Sequence, residues 1–155
     1  QLPEGPVLTE SIAILLHLAE RYPALTLVPE DPLERAHLYR TLLVLATEIY
    51  PVITVWDFPE RSTADGREAD AIRAQALADL QARWTIVERH LVRGPWALGA
   101  TMSLVDLPLA GMSRWTLAAP WRRAALPKVE AIAAAVAAQP AVAPVWTRHF
   151  PGREA

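Results

Sequence analysis

The residues with the strongest claim to chemistry stand near the start of the chain. Glu10 and Ser11 are adjacent, and the apolar spacing that follows them marks the beginning of a helix. A serine in that place offers a hydroxyl, the backbone amides of the first turn and the positive end of the helix dipole. The carboxylate beside it offers an acceptor for a cation. Taken alone, such a pair reads as an ordinary helix cap. A second pair, Ser103 and Asp106, has capping-box spacing ahead of another apolar run. There the serine hydroxyl can accept the Asp106 amide while the Asp106 carboxylate reaches back to the Ser103 amide. The histidines at 17, 37, 90 and 149 lack metal-ligand spacing and have no cysteine companions, so no metal site is expected. Arg122-Arg123 reads as a solvated basic pair. Arg114, late in an apolar run, needs an acidic partner or an exit to water, and Glu48 is a candidate partner. Trp84 and Trp115 read most simply as core.

The elements that must position these residues are mostly helical. Leu2, the turn signal Pro3-Glu4-Gly5 and the segment Pro6-Val7-Leu8-Thr9 read as strand, tight turn and strand. A two-strand ribbon needs something to pair with it or cover it. From Glu10, the residues Ile12, Leu15, Leu16 and Ala19 share one helical face, which stops near Tyr22-Pro23. Residues 24–32 read as a loop. Asp31-Pro32 opens a long helix from Leu33 to about Trp56, kinked by Pro51. A polar connector over 58–66 leads to a second long helix over 67–92, ended by Gly94-Pro95. From Ser103 the chain is apolar almost all round, as in the middle of a bundle, with Pro108 distorting its first turns. Helices over 127 to about 138 and 141 to about 149 follow, separated by Gln139-Pro140.

Composition narrows the classes of function. At 155 residues, 52% hydrophobic and 21% charged, the chain builds a core and is not disordered. Lys plus Arg number 15 against 17 Asp plus Glu, a net charge of -2, which argues against nucleic-acid binding and a polybasic membrane surface. The absence of cysteine excludes disulfides, thiolate metal sites and a cysteine nucleophile within these residues, and is compatible with a cytoplasmic location. No uninterrupted apolar run reaches the ~20 residues that span a bilayer, and the first residues do not read as a signal peptide. The chain opens on Gln1 and not Met, which fits a processed chain or a piece of a longer one.

The segment Val7-Leu8-Thr9-Glu10-Ser11-Ile12-Ala13-Ile14 resembles the strand-to-helix junction that closes the thioredoxin-like domain of glutathione S-transferases. Leu98-Gly99 followed by Ser103-Leu104-Val105-Asp106-Leu107 resembles the capping box on the central helix of that family's helical domain. Pro127-Lys128-Val129 and Gln139-Pro140-Ala141-Val142 resemble its last helices. The resemblance implies a mainly α fold: residues 1–23 as a remnant of the thioredoxin-like domain, 24–32 as linker and 33–155 as the helical domain. It implies that Glu10 and Ser11 hold the γ-glutamyl end of glutathione, whose free ammonium and carboxylate match a carboxylate beside an anion-binding helix start. It implies an apolar wall for a small hydrophobic electrophile, with Tyr50, Trp56, Phe58 and Trp115 as candidates. Ser103 and Asp106 are structural in this scheme.

The same resemblance implies that the thiol-activating residue and the cis-proline of the family are absent from these residues. The 155-residue chain is therefore expected to be inactive in thiol conjugation, and a homodimer on the two long helices is expected. A different reading keeps the fold but makes the chain a non-catalytic assembly module, and a third is an unrelated ligand-binding bundle. The family reading expects an edge strand within 1–9 and Ser103 at a helix start.

Overall fold

Two long helical rods, laid side by side, set up the core. The computed structural model describes Leu2 and residues 5–151. Helix α2 (Pro32–Val44) starts at Asp31, whose carboxylate accepts the Glu34 amide at 2.9 Å. It continues into α3 (Tyr50–Asp57) through one widened π turn, Leu45–Ile49. Pro51 explains the widening. It has no N–H to give, and its ring crowds the carbonyl four residues back. A π turn just ahead relieves the crowding, so the rod continues without a break. By length and a mean hydropathy of 1.4, Pro32–Asp57 is long and apolar enough to cross a membrane, where the sequence reading found no such run. Core helices pass the same test. Here Leu38, Leu42, Leu45, Ile49 and Ile53 are buried in the core that α4 (Ala69–Ile86) shares. Helix α4 adds Ala76, Leu80 and Trp84, and a second π turn, Val87–Leu91, adds Val87 and Leu91.

Four shorter helices close the bundle: α5 (Asp106–Met112), α6 (Ala119–Ala125), α7 (Pro127–Ala137) and α8 (Ala143–His149). Helix α5 packs against α7, which buries Val129, Ile132, Ala133 and Val136. Helix α1 (Ser11–Arg21) has no fully buried residue and lays Ile12, Leu15, Leu16 and Ala19 on the edge of the core.

The expected strand pair does not form among the described residues. Gly5, at φ +103°, donates to the Leu2 carbonyl at 2.9 Å, and the Leu2 amide donates to the Pro6 carbonyl at 2.8 Å. These bonds close a turn, and no ladder extends from it. Pro6 has no N–H to return a rung, and two strands without a third layer are not stable. Gln1, Pro3 and Glu4, part of that strand and turn reading, lie outside the described residues. The run after Ser103 also differs from expectation. Helix α5 ends at Met112, residues 113–118 leave the helix, and α6 is an element the sequence reading did not separate. The Ser113 hydroxyl donates to the Ala110 carbonyl at 2.7 Å, a local bond that competes with continuation of the helix.

Two buried carboxylates hold these short helices. The Asp106 Oδ1 accepts the Ala97 amide at 2.7 Å, and its Oδ2 accepts the Ser103 amide at 2.7 Å and the Ser103 hydroxyl at 2.9 Å. The hydroxyl therefore donates to the carboxylate, where the sequence had it accepting the Asp106 amide. That amide turns instead to the Ser103 carbonyl at 3.1 Å. An ionised carboxylate is the stronger acceptor, which decides the direction. Glu88, buried on the second π turn, accepts the amides of Lys128 and Val129 at 3.0 Å each. It caps α7 from 40 residues away in sequence, taking up amides that have no partner within the helix.

Asp106→Ala leaves two buried amides without acceptors and is expected to cost about 3 kcal/mol in urea unfolding; Glu88→Ala is expected to cost about 2 kcal/mol. Burial pushes the Asp106 carboxyl above the usual carboxylate range, against the opposing hydrogen bonds from Ala97 and Ser103. The folded chain thus holds that proton more tightly than the unfolded chain. Its contribution to stability is full below the unfolded pKa and declines as pH rises through the folded one. Asp106→Asn removes that decline, so its deficit relative to the parent should narrow as unfolding is followed upward from about pH 4.

Candidate functional site

The first candidate region is the entrance of α1. Glu10 sits at φ 66°, ψ 113°, in backbone space that costs a non-glycine residue about 1–3 kcal/mol. From there its carbonyl accepts the Ile14 amide at 2.9 Å, the first bond of the helix. Neither side chain of the Glu10-Ser11 pair has a hydrogen-bond partner among the described residues, and Glu10 makes no capping bond. Both residues are exposed. The pair therefore begins the helix without capping it. The amides of Ser11, Ile12 and Ala13 precede the first helical bond and point out of the turn with the positive end of the dipole. A carboxylate, a hydroxyl and open amides thus share one accessible corner.

The second region is aromatic. Tyr50, at the start of α3, and Trp115, in the segment after α5, meet edge to face, with ring centroids 6.1 Å apart and planes at 72°. They are 52% and 43% exposed, so Trp115 is not the core residue that its apolar surroundings in sequence suggest. Beyond Trp115 opens a groove of about 650 Å³ whose other wall is α8 and the residues flanking it, chiefly Val142, Val145, Trp146, His149 and Phe150. The rings of Trp146 and Phe150 meet at a tilt of 45°, their centroids 4.7 Å apart. Their spacing of four residues was the available signal for this wall, and the sequence reading did not use it. The other two aromatic candidates are placed apart from this groove. Phe58 lies beneath the Arg61 guanidinium at 4.0 Å. Trp56 gives its carbonyl to Arg73 Nε at 3.2 Å, on the side of α3 facing α4. Of the four candidates, Tyr50 and Trp115 are in ring contact and Trp115 lines the groove; Tyr50, Trp56 and Phe58 are not among its lining residues.

Behind Trp115 lies a buried ionic cluster. Arg114 is 1% exposed and Arg122 is 4% exposed. Both donate to Oε1 of Glu130 on α7, Arg122 through Nε at 2.9 Å and Arg114 through Nη1. Arg122 Nη1 also donates to the Leu117 carbonyl. The acidic partner of Arg114 is therefore Glu130. Glu48, the residue suggested by sequence, pairs with Arg83 on α4. Arg122 is not a solvated charge, because the turn into α6 folds it back onto α7. Burial pulls the Arg114 guanidinium below its ordinary pKa, and Glu130 opposes that shift. Among the described residues no group of three His, Asp or Glu is placed to hold a metal ion.

The Tyr50–Trp115 edge contact should register in a double-mutant cycle. Tyr50→Leu, Trp115→Leu and the pair are expected to show a coupling of about 0.5 kcal/mol in chemical unfolding, the low end for aromatic pairs, because both rings are half-exposed.

No family model matches the chain. Over 148 residues it is 29% identical to the uncharacterized GST-like protein YncG of Escherichia coli, an alignment covering 96% of this chain and 71% of that protein. It is 30% identical to a probable maleylacetoacetate isomerase of Caenorhabditis elegans, over 68% of this chain and 49% of the relative. The chain thus spans about half the length of that relative. The crystal structure of a glutathione transferase homolog from Sulfitobacter, with bound glutathione, superposes with a TM-score of 0.85 at 26% identity, covering 95% of this chain and 71% of that one. In sequence and in fold, nearly the whole chain is similar to glutathione S-transferase-like proteins.

Proposed function

We propose that this chain is the part of a glutathione-using transferase that holds the γ-glutamyl end of glutathione and the apolar body of a second substrate. The observation that carries the reading is the unoccupied hydrogen-bonding capacity at the start of α1. Glu10 and Ser11 make no internal side-chain bond among the described residues, and the first-turn amides are open. In that corner Ser11 and the amides receive the glutathione α-carboxylate, while Glu10 receives the α-ammonium. The Tyr50–Trp115 edge and the adjoining groove take a small hydrophobic electrophile, with apolar rings excluding water around it. Trp56 and Phe58 do not line that groove, and no role in it is proposed for them.

Glu10 and Ser11 act at the end of the tripeptide remote from sulfur. The 155 residues by themselves are therefore proposed to bind glutathione and not to activate its thiol. Relatives of one fold differ in chemistry, so the reaction class is set by groups near the sulfur and not by this half-site. We place the protein in the cytoplasm, where glutathione is reduced, and read it as a homodimer through the two long rods. Exposed Ile86 lies there with Val44 beside Arg40, Glu48, Asp79 and Arg83, a mix of apolar surface and opposite charges that complements a second copy of itself.

Isothermal titration of the chain with reduced glutathione is expected to show binding that Ser11→Ala weakens by about tenfold, the loss of one hydrogen bond to a charged group. Binding unchanged by both Ser11→Ala and Glu10→Ala would remove the site and favour a non-catalytic assembly module of the same fold. Transferase turnover by the 155-residue chain would contradict the assignment of thiol activation to other groups.

A further inference from the structure

The segment that carries Trp115 has little structure of its own. Between α5 and α6, residues 113–118 contribute two backbone bonds as donors outside regular helix, Arg114 to Gly111 at 3.0 Å and Trp115 to Met112 at 3.3 Å, besides the closing bond from Ser113 to Leu109 at 3.2 Å. The Trp115 ring is half in solvent and touches Tyr50 by its edge. Both ends of this loop are nevertheless tied to one atom. Arg114 immediately precedes Trp115, Arg122 stands one turn into α6, and both guanidiniums reach Oε1 of Glu130. Arg122 grips the loop a second time through the Leu117 carbonyl. The carboxylate itself is rigidly mounted, in the first turn of α7 between buried Val129 and buried Ile132.

We propose that Glu130 is a positioning residue for the aromatic groove: by holding Arg114 and Arg122 together it sets the loop shape that turns Trp115 edge-on to Tyr50. A buried ionic cluster is poor evidence of stabilisation, since apolar side chains of similar volume often do as well. Apolar contacts do not fix direction, however, and forked guanidinium bonds do. The cluster therefore belongs where orientation matters, and Trp115, next to one of its two arms, is the tryptophan that faces Tyr50. The functional consequence rests on the groove binding the second substrate, as proposed above. The geometric claim does not.

The test is fluorine NMR of the full chain labelled with 5-fluorotryptophan, its six tryptophan signals assigned by single Trp→Phe substitutions. In the parent chain, Tyr50→Leu is expected to shift the Trp115 signal. In Glu130→Gln the Trp115 signal should move and broaden, and it should no longer respond to Tyr50→Leu, while Trp56, Trp84 and Trp96 stay in place. A Trp115 signal that keeps its position and its response to Tyr50→Leu would overturn the proposal. So would a shift shared with Trp56, Trp84 and Trp96, which would mark a general stabiliser. If Glu130→Gln does not fold, Arg122→Lys keeps the charge opposite Glu130 and loses the guanidinium fork. A displaced Trp115 signal in that variant supports the proposal and an unmoved one overturns it. No ligand enters these measurements, so their failure is distinct from failure of the glutathione titration.

Discussion

One buried carboxylate decides where the middle of this chain begins. Asp106 is fully buried, and an ion in that position is costly unless donors surround it. It has three, from Ala97 and Ser103, and satisfying them folds residues 97–106 into a closed loop ahead of α5. The residue after Ser103 extends the tie, because the Leu104 amide donates to the Leu27 carbonyl at 2.8 Å. Leu27 belongs to the segment joining α1 to α2. The carboxylate that starts the central helix therefore also fixes the path by which the Glu10-Ser11 corner approaches the bundle.

Directional bonds are needed because the helices beyond this point are short. Helices α5, α6 and α8 have seven residues each, too few to persist on propensity alone. Burial of Leu109, Leu126 and Val136 favours collapse but specifies no register. Helix α7 supplies the register. Glu88 grips its first amides from the end of α4, and its own Glu130 reaches out to the loop before α6 and to α6 itself. Long apolar rods and a few buried carboxylates thus have separate tasks, bulk cohesion for the first and alignment for the second.

What sequence revealed, and what it hid, follows from the range of each interaction. Periodicity exposes local order: the faces of the long rods, the cap at Asp31 and the pairing of Ser103 with Asp106 all lie within one or two helical turns. The partner of Arg114 lies 16 residues away on another helix, and the residues capped by Glu88 lie 40 and 41 away, so neither spacing leaves a local pattern. Trp115 read as core because its neighbours are apolar, yet the loop that ends α5 turns it outward. The strand expectation failed for a related reason. Strand pairing is a property of a sheet, and Leu2, Gly5 and Pro6 make turn bonds with no ladder beside them among the described residues. The aromatic half of the candidate site was legible only as residue types, since the edge contact of Tyr50 with Trp115 joins positions 65 residues apart.

The two regions of the candidate site are preorganised by opposite means. At the aromatic end, ionic bonds from inside the protein hold an otherwise irregular loop. At the α1 end the strain is local: Glu10 occupies left-handed backbone space so that Ser11 can be the first helical residue with its side chain outward. Such strain persists only where the surroundings over-determine it. Helix α1 meets that condition on one side, where Ile12, Leu15, Leu16 and Ala19 seat on the bundle. Its other side carries exposed Ile14, Leu18 and Tyr22, four residues apart. Seating of the first face on the bundle makes the unfavourable backbone of Glu10 an expense of folding, and a ligand arriving at the open amides meets them already arranged.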